Sequence, residues 1–148
     1  MRLSLMLCVI LAAVVPRCSA QTVIVRAIDV KSLKPIKGKV IRMQFADFPP
    51  PQLRAGYVDR ETDRDGRAVF NLPSPLPARI IINIEFANWR QCSPQAFLYD
   101  TRQVLRSGVV ADDRCTYDAS ESFSARPGEI VVFARYVSLW ERLRSFPV

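Results

Sequence analysis

Apolar residues recur at every second position in several short runs of this chain, the pattern of strands that bury one face. In Thr22 to Val30, Val23, Val25 and Ala27 share a face, and the segment predicts a first strand. Lys31 to Lys37 is polar and broken by Pro35, so it reads as a turn. Beyond Gly38 a second strand sets Ile41, Met43 and Phe45 against Val40, Arg42 and Gln44, and it is expected to pair with the first. The stretch Thr62 to Pro73 joins a turn-prone cluster, Asp63, Asp65 and Gly66, to an alternation of Ala68, Phe70 and Leu72 with Arg67, Val69 and Asn71. Tyr57 to Thr62 is expected to lead into that turn as a short strand. Arg79 to Phe86 has the cleanest period, with Ile80, Ile82, Ile84 and Phe86 opposite Arg79, Ile81, Asn83 and Glu85. Glu129 to Val137 follows a Pro127-Gly128 turn and is apolar on both faces, which predicts a central or covered strand.

Other segments lack this period. Pro49, Pro50 and Pro51 cannot donate to a ladder and mark a connector, and Pro73, Pro75 and Pro77 make a second stiff link. Asp100 to Ser107 reads equally as a helix, with Asp100 as cap and Gly108 as terminator, or as an edge strand. Asp112 to Ser124 is a polar loop. Ser138 and Glu141 form a capping box, and Leu139, Trp140, Leu143 and Phe146 fall on one stripe, so residues 138–148 are expected to be a short amphipathic helix. Docking of that stripe on the protein's own sheet is the expectation, with a partner's surface as the alternative for Trp140, Leu143 and Phe146.

The first twenty residues read as a secretion signal: Arg2, an apolar run from Leu3 to Val15, then Cys18-Ser19-Ala20 ahead of cleavage before Gln21. The run is too short for the about 20 apolar residues that cross a membrane, so no transmembrane anchor is expected after cleavage. Residues 21–137 then form one domain, secreted or periplasmic. Without Arg2 and Arg17 the 21 basic residues fall to 19 against 14 acidic ones, an excess spread evenly along the chain. Export and the lack of basic clusters with interleaved aromatics argue against nucleic acid as a partner. Cys92 and Cys115 remain, and in an oxidising compartment an even pair is expected to form one disulfide.

The N-terminal half resembles the carboxypeptidase regulatory-like domain family. The matching residues are Val23 to Asp29, Pro35-Ile36-Lys37-Gly38 with Ile41, Thr62-Asp63 with Gly66 and Phe70, Leu72-Pro73, and the strand of Ile80, Ile82 and Ile84. The chain departs from the family pattern with Leu33-Lys34 in place of a Thr-Gly turn, with Lys39 in place of a small residue, and with a long insertion bearing the two cysteines. The resemblance implies an all-β, immunoglobulin-like or prealbumin-like antiparallel sandwich, serving as a binding or accessory module without catalysis. A structural subunit or spacer of a cell-envelope assembly is the alternative, and a calcium-dependent carbohydrate binder a weaker one.

Candidate chemistry is sparse. The chain has no histidine, which removes the usual base of a nucleophilic triad and the usual partner of cysteine in a zinc site. Its absence also separates the chain from the transthyretin-related hydrolases, whose histidines and Tyr-Arg-Gly-Ser tail have no counterpart in the closing Ser145-Phe146-Pro147-Val148. Asp63 and Asp65 are a weak calcium candidate, since position 72 of an EF-hand reading is Leu72 rather than a bidentate Glu. No cofactor is expected. Trp89, Arg90 and Tyr99 are the candidate ligand surface, for a protein or glycan partner, although Trp89 is expected chiefly to pack on the half-cystine Cys92.

Overall fold

Two β-sheets face each other across a core of alternating side chains. The computed structural model describes residues 21–47, 52–54, 56–84, 88–92, 98–115, 118–138 and 140–141. The expectations for the signal at 1–20, Pro49 to Pro51, Glu85, Phe86, Leu139, Leu143 and Phe146 fall outside these residues.

Sheet A is ordered β5 (Arg67–Asn71), β1 (Thr22–Asp29), β10 (Glu129–Tyr136), with β7 (Trp89–Gln91) and β9 (Val109–Val110) sharing the far edge of β10. Sheet B is ordered β2 (Val40–Asp47), β6 (Arg79–Ile84), β8 (Leu98–Asp100), and β3 (Gln52–Leu53) and β4 (Val58–Glu61) share the outer edge of β2. The two-fold period decides which side chains enter the core. Val23, Val25 and Ala27 of β1 meet Ile41, Met43 and Phe45 of β2 and Ile80, Ile82 and Ile84 of β6, all buried. Strand β10 is buried on both faces because Ile130, Val132 and Ala134 enter this core while Val131 and Phe133 enter a second one.

The pairing of the first two strands differs from expectation. β1 pairs with β5 and, in parallel, with β10, whereas β2 pairs with β3, β4 and β6 in the other sheet. Both strands are amphipathic, and burying the two apolar faces against each other stabilises them more than lying side by side with those faces aligned. The connection Val30–Lys39 therefore arches between the sheets, and the parallel β1·β10 pair makes sheet A mixed.

The turn at Asp63 to Gly66 is a second arch, leaving β4 in sheet B and entering β5 in sheet A. Asp63 Oδ1 accepts the Asp65 and Arg67 amides at 2.9 Å each, while the Gly66 carbonyl accepts the Ala27 amide at 2.8 Å. Gly66 has φ +72°, and a Cβ there would stand 2.7 Å from the Ala27 carbonyl oxygen, so only glycine lets the turn close on β1. Residues Thr101–Ser107 form helix α1, which settles the open choice: Asp100 accepts the Gln103 amide at 3.0 Å, and Gly108, at φ +73°, ends the helix with its amide on the Val104 carbonyl.

The Cys92–Cys115 disulfide forms, with its Cα atoms 5.1 Å apart. It fastens the loop after β9 over the outer face of sheet A. There Cys92, Ala119, Val131 and Phe133 make the second core with half-buried Phe123 against them. Ala119–Ser122 is a single 3-10 turn, and Asp113 holds the approach by accepting the Cys115 and Ala119 amides. Gln91 closes a different gap. Its side chain accepts from the Ile84 amide at 3.1 Å and donates to the Ile82 carbonyl at 3.3 Å, on the stretch of β6 beyond its pairing with β8 among the described residues.

Candidate functional site

The three residues expected to form a ligand surface do not share an exposed face. Tyr99 is 2% exposed and belongs to the core between the sheets. Trp89 is half-buried against that same core, and Arg90 is exposed on the opposite face of β7. Nor does Trp89 pack on the half-cystine. It precedes Cys92 by three positions, an odd number, so strand alternation sends the indole inward and the sulfur outward into the second core.

The turn acids have structural work as well. Asp63 is the acceptor that shapes its arch, and Asp65 has Arg64 3.9 Å away. Among the described residues the sole cluster with metal-ligand geometry is Cys92, Asp113 and Cys115. Its sulfurs are joined to each other and both Asp113 carboxylate oxygens accept amides, so it offers no set of ligands.

An aromatic shelf forms where β10 ends. Tyr136, 48% exposed, stands directly across from Trp89 in the β10·β7 register, and their rings meet edge to face with centroids 5.8 Å apart. The chain then turns into the capping box read from the sequence: the Ser138 amide donates to Glu141 Oε2 at 3.0 Å and the Glu141 amide to Ser138 Oγ at 3.3 Å. Arg135 Nη1 adds a bond to Glu141 Oε1 at 3.0 Å. That hydrogen bond, the Ser138 amide, and the charges of Arg135 and Lys31 hold the Glu141 carboxyl below its ordinary value.

The first turn is thereby fixed on sheet A, and it presents Trp140 outward with 73% of its surface exposed. Trp140 thus does not lie on the protein's own sheet, contrary to expectation. Lys31, Tyr136, Ser138, Trp140 and Glu141 line an open hollow of about 660 Å³. Sequence reading found Trp140 and the box but missed Tyr136 and Lys31, which only the strand register and the Asp29–Lys34 turn bring alongside.

Comparison with protein-family models, curated proteins and solved structures finds no match for this chain. The class that fold and site define is an all-β sandwich with a Cys92–Cys115 disulfide and an exposed aromatic shelf.

Proposed function

We propose that the chain is an exported, non-catalytic binding module on a carboxypeptidase regulatory-like sandwich, and that it engages a protein partner through the shelf of Tyr136 and Trp140. The observation that carries this reading is Trp140, 73% exposed on a turn that Ser138, Arg135 and Glu141 hold in place. Indole and phenol rings dominate binding energy at protein interfaces because they bury large area at low entropic cost. Here they stand ready-ordered, with Lys31 and Glu141 supplying one charge of each sign at the rim. The apolar positions Leu143 and Phe146 continue the same stripe in the sequence. Export is supported by the signal-like residues 1–20 and by the Cys92–Cys115 disulfide.

The test is site-specific photo-crosslinking in cells that export the protein, with the photoreactive residue at Trp140 and, as control, at Arg64, whose side chain is 91% exposed. One discrete protein adduct from position 140 and none from position 64 is expected. Equal labelling from both positions overturns the reading. A glycan-array signal that Trp140→Ala abolishes, without any protein adduct, replaces the protein partner by a sugar.

A further inference from the structure

The β1·β5 register sets Arg26 directly opposite Arg67 on the outer face of sheet A. Like charges in cross-strand register repel, and the sheet keeps such a pair where a counter-charge joins them. Arg126 approaches from the loop before β10, and the three arginines, together with Glu129, line a cleft of about 230 Å³. A water molecule takes about 30 Å³ of liquid, so the cleft holds several waters or one small hydrated anion.

Arg26 is already fixed. Its Nη2 donates to the Ser124 carbonyl at 3.0 Å, and its guanidinium carbon lies 5.7 Å from the centroid of the Phe123 ring. Its Nε lies 3.1 Å from Glu129 Oε1, close enough for an ion pair but off the line of a hydrogen bond. Glu129 is buried, and its other oxygen accepts the Arg126 amide at 3.0 Å, so this carboxylate offsets Arg26 and closes the turn. Arg67 and Arg126 are exposed, and neither side chain has an ion pair among the described residues.

We infer that this cleft binds a phosphate group, with Arg67 and Arg126 as the ligating guanidiniums and Arg26, balanced by Glu129, as their fixed floor. A guanidinium presents two parallel N–H donors to an oxyanion, and two such forks, above a floor in which Glu129 balances Arg26, match a doubly charged group better than chloride. The site lies on the outer face of sheet A and does not depend on the aromatic shelf. Free phosphate and a phosphate monoester carry the same group and are separated by the choice of probe.

The test is isothermal titration calorimetry with sodium phosphate and with glycerol phosphate, in chloride at a fixed ionic strength of about 0.15 M. Wild-type protein gives a saturable isotherm, weakened at least tenfold in Arg67→Gln/Arg126→Gln, each lost charge-assisted bond being worth about tenfold. Arg67→Lys/Arg126→Lys keeps the charge without the fork and falls between, so the reading survives a glutamine pair that does not fold. Tighter binding of glycerol phosphate assigns the site to an ester, and tighter inorganic phosphate to the free anion. Heats no different from those of added sodium chloride, or equal affinity in wild type and the lysine pair, overturn it.

Discussion

Reducing the Cys92–Cys115 bond should cost the sandwich much of its reserve, by an amount set by the length of chain it closes. The cysteines are 23 positions apart. Releasing a loop of that size returns roughly 12 cal/mol/K of entropy to the unfolded chain, or roughly 3.5 kcal/mol at 25 °C. An unfolding entropy of about 2.1 cal/mol/K per residue gives residues 21–148 about 0.27 kcal/mol/K, so the melting temperature should fall by roughly 13 °C. Reduced wild type isolates loop closure, because both sulfurs stay in place. Cys92→Ala/Cys115→Ala adds a packing loss of about 1 kcal/mol, since Cys92 is buried among Ile28, Val131 and Phe133. The assay is urea unfolding followed by circular dichroism, oxidised against reduced. If the effect acts through the unfolded state, the denaturant slope rises on reduction, because an uncrosslinked chain exposes more surface. A loss below about 1 kcal/mol with an unchanged slope would refute the chain-entropy account.

Two left-handed positions should respond with opposite signs, and chemical denaturation reads both. Gly66→Ala brings a Cβ to 2.7 Å from the Ala27 carbonyl oxygen at φ +72° and should cost about 2–4 kcal/mol. Leu33, exposed with φ +57°, lacks such a reason for its side chain, and Leu33→Gly should stabilise by about 0.5 kcal/mol once the extra freedom of unfolded glycine is subtracted. The third prediction concerns pH. The folded Glu141 carboxyl is held below its ordinary value of 4.5, chiefly by Arg135. Its contribution is full above the unfolded-state value and is lost as pH falls through the lower folded-state value. Tryptophan fluorescence should show the turn bearing Trp140 loosening below about pH 4.5, and Glu141→Gln should remove that transition while leaving the main unfolding step.

Much of the sandwich was legible because a period of two is a local property. Ile41, Met43 and Phe45, or Ile80, Ile82 and Ile84, enter the core wherever their strand happens to pair. Which strand lies beside which depends on contacts far apart in the chain, so alternation and adjacency in sequence suggest β2 next to β1 where the fold puts them in opposite sheets. The same kind of information decides the sites. Tyr99 lies in the core because β8 runs along β6, and the facing of Arg26 and Arg67 exists only once β1 and β5 are in register. Alternation, by contrast, was enough in principle to separate Trp89 from Cys92, since three residues along a strand always change sides. Helix α1 was ambiguous because seven residues with one fully buried valine, Val104, give too little period to tell a turn of helix from an edge strand.

The amide of Gln91 has one more implication. Strand margins with open donors and acceptors recruit other chains, and proteins commonly blunt them with lysine, proline or a bulge. Here a glutamine reaching across from the opposite layer occupies the Ile82 carbonyl and the Ile84 amide. This molecule thereby withholds part of its own seam from edge-to-edge self-association by means of an uncharged side chain.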